Sequence, residues 1–281
     1  MPAGNYSGIT AIGDDRYAVV CDKTPDGFYV FRIVIDTLER RIVSVGNEGF
    51  KASGHPNRDQ EGIAYNPATH TLFISGEADN QVLEYTLDGQ HTGRRLQLPQ
   101  WMSHANRNYG LESLCYDTVA HTYWTVTERP VGGDSLLRLV ALNDSLQPVQ
   151  HYLYRLDTPR RQFRRGIHAH GVSELLPLGD GRLLVLEREV RVPPLKIGAY
   201  VVTRLYEVCT STSADSPLLR KRLVGQWKTR MNLIRQNLAN YEGMCVAHRL
   251  ADGEIVIVLV ADSQNRQRGL LRDWLKVATI R

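Results

Sequence analysis

Carboxylates recur along this chain at two kinds of place. A short signature is repeated five times: Asn5-Tyr-Ser-Gly-Ile, Asp59-Gln-Glu-Gly-Ile, Tyr109-Gly-Leu-Glu-Ser-Leu, His170-Gly-Val-Ser-Glu-Leu and Asn240-Tyr-Glu-Gly-Met. Aligned, its key position holds Ser7, Glu61, Glu112, Ser173 and Glu242. A second set, Asp22, Glu77, Glu128, Glu187 and Asp262, ends a strongly apolar run about 15 residues after each signature. Gathered around one axis, Glu61, Glu112 and Glu242 would repel one another and raise each other's pKa unless a cation neutralised them. Oxygen-only ligands favour a hard ion such as Ca2+. Basic residues stand beside both sets: Lys23, Arg129 and Arg188 directly follow acids, while Arg58, Arg107 and His168 precede signatures. Acids to hold a metal and activate water, with cations to hold an anion, are what metal-assisted hydrolysis of an ester or phosphoester needs. On that reading Glu61, Glu112 and Glu242 hold Ca2+, and Asp22, Glu128 and Glu187 orient or deprotonate water. Lys23, Arg58, Arg107, Arg129, Arg188 and His168 then bind a small anionic substrate such as a phosphate ester.

Such a gathering requires a repeating scaffold. The five key positions are 54, 51, 61 and 69 residues apart, periods that suit propeller blades carrying loop insertions. Each signature opens a strand, and the apolar run that follows is a second one. Between them lie hairpin turn residues: Gly-Asp-Asp at 13 to 15, Asn-Pro-Ala-Thr at 66 to 69, Gly-Asp-Gly at 179 to 181. A third strand is readable in every unit and a fourth in the first four, with almost no helical pattern. The expectation is an all-β chain forming one domain over residues 1–281, a β-propeller with four-stranded antiparallel blades. Five blades are counted, the fifth without its outermost strand, and the stretch from Glu189 to Asn240 is long enough to hold a sixth. The first strand of each blade lines the axis, so the key positions form one ring. The second acids lie back across the first hairpin at the same face.

A recurring acid can also be a staple, accepting backbone N–H groups of the next repeat without any chemistry. That leaves a non-catalytic propeller binding a ligand or protein as an alternative, with a Ca2+-dependent propeller lactonase as another. His168-Ala-His170 has the look of a two-ligand strand motif, but no third ligand spacing supports zinc. No Gly-x-Ser-x-Gly, His-Glu-x-x-His, phosphate-loop or Gly-x-Gly-x-x-Gly motif is found, so serine-hydrolase, zincin and nucleotide-binding readings lack their carriers.

Composition bounds the rest. Hydrophobic residues make up 42% and charged ones 23% of 281 residues, which excludes a disordered or fibrous chain. A net charge of +4, with 34 basic residues scattered among 30 acidic ones, lacks the footprint of a nucleic-acid binder. No apolar run approaches the roughly 18 residues of a membrane span. The four cysteines sit singly in apolar runs, so buried thiols are expected.

Five segments carry a family resemblance: Asp59–Tyr65 (DQEGIAY), Asn108–Leu114 (NYGLESL), Gly171–Glu189 (GVSELLPLGDGRLLVLERE), Arg204–Val208 (RLYEV) and Asn240–Asn265 (NYEGMCVAHRLADGEIVIVLVADSQN). Together they resemble the bacterial phytase-like domain family, described as having esterase-like phytase activity, over nearly the whole chain. The resemblance implies a β-propeller, usually exported, in which recurring Glu and Asp residues form a phosphoesterase site. An export leader is absent from residues 1 to 6, so export implies one already removed. One departure is that Ser7 and Ser173 stand where a full acidic ring needs carboxylates, which weakens a multi-metal site more than a single-ion one.

Overall fold

The computed structural model describes residues 4–105, 110–159, 166–194, 196–211, 217–231, 238–263 and 274–281. It is an all-β, five-bladed β-propeller. Blade one comprises β1 (Tyr6–Gly13), β2 (Arg16–Cys21), β3 (Gly27–Asp36) and β4 (Arg41–Ala52). Blade two comprises β5 (Gln60–Asn66), β6 (Thr71–Gly76), β7 (Gln81–Thr86) and β8 (His91–Arg95). Blade three follows with β9 (Leu111–Asp117), β10 (Thr122–Thr127), β11 (Leu137–Asn143) and β12 (Pro148–Tyr154). Blade four has β13 (Ile167–Gly179), β14 (Arg182–Val192), β15 (Tyr200–Cys209) and β16 (Lys221–Arg230). Blade five has three strands among the described residues, β17 (Asn240–Arg249), β18 (Ile255–Asp262) and β19 (Leu275–Ile280). In every blade the strands pair in chain order, antiparallel throughout.

The turns follow from local chemistry. Asp14 and Asp15 both take positive φ (54° and 56°), as do Asp180 and Gly181 (52° and 72°), the backbone of a tight primed hairpin turn. In blades two and three a side chain closes the turn instead: Asn66 Oδ1 accepts from Ala68 N at 2.9 Å, and Asp117 Oδ1 from Val119 N at 2.9 Å.

The apolar runs are continuous rather than alternating because both faces of a blade are covered by its neighbours. In β2, Tyr17, Val19 and Cys21 pack toward blade five, and Ala18 and Val20 toward blade two. Among the described residues the core is therefore divided into six clusters, five of them one between each pair of adjacent blades and a sixth around Val190, Val192, Ala199, Val201 and Leu238 on the extended part of blade four. The long strands of blade four, 10 to 13 residues each, take up the stretch that had room for a sixth blade. The ring closes where β1 packs beside β17 and β18. Asn5 bridges Asp262 there, and the Ser263 hydroxyl donates to the Gly4 carbonyl. Cys21, Cys115 and Cys245 are buried and Cys209 half-buried, none of them in a disulfide. No helix among the described residues is long and apolar enough to cross a membrane.

Candidate functional site

The key positions of the signature sit on irregularities in the ladder. In each blade the register between first and second strand breaks at the same place: between Tyr6 and Ile9, Gln60 and Ile63, Leu111 and Ser113, Val172 and Glu174, Tyr241 and Gly243. Ser7, Glu61, Glu112, Ser173 and Glu242 fall inside these breaks, and a bulge re-aims the side chain it carries. The next residue must be small where the neighbouring inner strand passes close. A Cβ on Gly62 would stand 2.4 Å from Leu114 N, and one on Gly243 2.2 Å from Ser7 O. In blade three this place holds Ser113 and in blade four Glu174. The Ser113 hydroxyl donates to the Glu174 carboxylate and accepts from Leu175 N at 2.8 Å. Burial pushes the Glu174 carboxyl well above the ordinary range, against the hydrogen bonds it accepts from the Ser113 hydroxyl and from Leu175 N at 2.9 Å.

The residues facing the start of each inner strand form a second set. Asp22 N donates to Asn5 O at 3.1 Å, Glu77 N to Asp59 O at 2.9 Å and Glu128 N to Gly110 O at 3.1 Å. Asp262 lies opposite Asn240, and in blade four Arg188 lies opposite Gly171. The fourth blade thus contributes a guanidinium where the other four contribute an acid.

These residues meet at one mouth of the channel. Arg188 is buried, its guanidinium donating to Glu242, to Glu112 at 3.0 Å and to Glu128 at 3.5 Å. Asn240 Nδ2 also donates to Glu242, at 2.7 Å. Glu242 is raised to about 7, chiefly by burial and partly offset by Arg188. Glu112 is raised well above the carboxylate range by burial, again against Arg188. Glu61 is raised likewise by burial and by the charges of Glu112, Glu242 and Asp22. Glu77 accepts from Gly110 N at 2.8 Å and is raised to about 7 by burial. Arg188 itself is held firmly charged, its carboxylate neighbours outweighing burial.

Glu61, Glu112 and Glu242 do not form one ligand set. Among the described residues, the carboxylates whose oxygens lie within 4.8 Å of one another are Asp22, Asp59 and Glu61. Lys23 Nζ sits against two of them, 2.6 Å from Asp22 and 3.2 Å from Asp59. Asp59 went unassigned in the sequence, though it opens the signature that contains Glu61. It takes a left-handed φ of 56° just before β5, a local geometry that residue type does not announce.

The other candidates lie elsewhere. Glu187 is one ladder position short of the mouth, opposite Val172, and so faces the other side of its blade. There it accepts from Tyr154 OH at 2.6 Å and Lys221 Nζ at 2.5 Å, with His170 Nε2 3.4 Å away. Those partners hold its carboxyl below the ordinary range although burial opposes them. His168 Nε2 lies 3.8 Å from Glu189 on that same side. The buried Arg58 guanidinium is engaged with Asp79 at 2.8 Å, Tyr85 OH at 2.8 Å and Gln81 O at 3.0 Å. The Arg129 carbonyl accepts from Thr127 Oγ1 at 2.7 Å. Arg107 lies outside the described residues.

Fold and mouth together define a five-bladed β-propeller with an acidic channel entrance crossed by one arginine. The chain belongs to the phytase-like family, described as "esterase-like activity of phytase", whose model matches residues 1–264. No curated protein matches it. Among solved structures it is similar to a nidogen/laminin complex chain at 11% identity and TM-score 0.46, covering 99% of this chain and 86% of that one. It is also similar to the periplasmic gluconolactonase of Pseudomonas aeruginosa, at 13% identity and TM-score 0.44, covering 99% and 74%. Hydrazine synthase of Kuenenia stuttgartiensis aligns at 9% identity and TM-score 0.41, covering 100% and 96%.

Proposed function

We propose that the chain is an ester hydrolase working at the acidic channel mouth on phosphoric or related esters, with a divalent cation of the Ca2+ type held by Asp22, Asp59 and Glu61. The carrying observation is the convergence of those three carboxylates within 4.8 Å beside Glu242, an acid raised to about 7. An all-oxygen, carboxylate-rich donor set fits a hard cation. When bound, such an ion supplies Lewis-acid polarisation of the ester and offsets the negative charge that would repel an anionic substrate.

The chain's own groups do the rest. Glu242 has an affinity for protons matched to neutral pH, so it can carry one to or from the reacting ester oxygen. Asn240 and Arg188 fix which way its carboxyl faces. Asp22 and Glu128, whose charges both reach Glu242, would orient water. Arg188 is already engaged by three carboxylates, so anion binding falls first to the cation. Those same contacts join blades three, four and five, which favours a second reading: a ligand-binding propeller in which Arg188 and its acids are staples.

Release of phosphate from inositol phosphates and nitrophenyl esters, with and without chelator, decides between them. The expected result is chelator-sensitive turnover that Asp59→Asn and Glu242→Gln abolish. No turnover of any ester at any Ca2+ level overturns the hydrolase, and lactone opening alone in the same panel moves it to the lactonase class.

A further inference from the structure

Lys23, two residues past the end of β2, lays its ammonium across Asp22 and Asp59, at 2.6 and 3.2 Å. Its side chain is 54% exposed, while those of its partners are 15% and 30% exposed. The charge thus approaches the carboxylates from the solvent side on a flexible four-carbon stem. The third carboxyl of the set, Glu61, takes a hydrogen bond from Ser7 instead. An independent sign of unmet binding capacity lies at the same mouth. The Asn240 side chain, 1% exposed, reaches Glu242 through Nδ2 and leaves Oδ1 buried without a donor. A buried acceptor left unmatched is rare unless a ligand or water completes it.

We infer that Lys23 is a tethered counter-ion that competes with a divalent cation for Asp22 and Asp59, so that the site loads only when Lys23 swings out. This rests on the reading of Asp22, Asp59 and Glu61 as a cation site. Both the ammonium and the metal ion need the same carboxylate oxygens. Lys23 sets one positive charge against the carboxyl groups of the site, and its departure leaves their oxygens to the ion alone. A divalent ion therefore gains both ligands and field when Lys23 departs. Lys23 thus sets a threshold for loading by Ca2+.

Calcium titration calorimetry on the full chain, with Ca2+ as the sole divalent ion, tests this. Lys23→Met keeps the stem and removes the charge at a half-exposed position. It is expected to bind Ca2+ at least about tenfold more tightly than the natural chain, the effect of deleting a positive charge a few ångströms away. Adding Asp59→Asn should erase that gain. Equal or weaker binding by Lys23→Met overturns the competition and leaves the cation site standing. Absence of Ca2+ binding in both the natural chain and Lys23→Met overturns the site itself.

Discussion

Glu187 and Arg188, adjacent in sequence, deliver opposite charges to opposite sides of the fourth blade. Glu187 goes to Tyr154 and Lys221 in the contact with blade three, and Arg188 to Glu242 and Glu112 in the channel. Among the described residues, Arg188 is the guanidinium that Glu112, Glu128 and Glu242 share.

Replacing it should therefore be costly. Arg188→Met leaves Glu112, Glu128 and Glu242 buried without their counter-charge, and breaking a buried pair in this way typically costs about 3–5 kcal/mol. Urea denaturation at pH 8 should show that loss. Adding Glu242→Gln should recover part of it by removing one of the stranded charges; a double variant no more stable than the single would refute the pairing.

Acidity should stabilise the fold over a defined window. Glu242 sits at about 7 in the folded chain against an ordinary 4.5, so the native state holds a proton that the unfolded chain releases. Its contribution is fully present below pH 4.5 and lost as pH rises through 7, on the order of 3 kcal/mol for a shift of this size. Glu77, also raised to about 7, acts in the same direction. Asp157 and Glu187 have the opposite sign, being held below their ordinary values of 3.8 and 4.5, so their share is lost only at still lower pH. Stability measured by denaturant at half-unit steps should fall from pH 5 to pH 7.5. Glu242→Gln should flatten that slope, and an unchanged slope would contradict the assignment.

The close approach of inner strands makes a glycine irreplaceable. Gly62→Ala places a methyl 2.4 Å from Leu114 N, so blades two and three must separate. Overpacking of this kind costs roughly 1–3 kcal/mol or more. Gly46→Ala, whose nearest neighbour would be Arg32 Cβ at 3.9 Å, should be close to neutral in the same thermal unfolding series.

Five blades and their strand order were legible because hairpin turn residues and apolar runs repeat with the signature, while the stretch from Glu189 to Asn240 left room for a sixth until the long strands of blade four accounted for it. The three strands described for blade five were legible for the same reason. Which of Glu187, Arg188 and Glu189 reaches the channel was not. Three consecutive charges on one strand differ only in ladder parity, and a one-residue bulge at Ser173 decides it. The same limit explains the metal set. Sequence spacing brings Glu61, Glu112 and Glu242 to equivalent positions, but Arg188 lies between Glu112 and Glu242 while Asp59 turns back to join Glu61.

Four of the five junctions between blades are crossed by the chain itself. The junction of blades five and one is held by the β1 contact with β17 and β18, the Asn5–Asp262 bridge and the Ser263 hydroxyl. Asp22 belongs to one side of that seam and Glu242 to the other, and each feels the other's charge. A ligand engaging both would act as a clasp. Filling the mouth and locking the ring would then be one mechanical event, and an empty mouth would leave the seam as the place where the wheel springs open under heat or load.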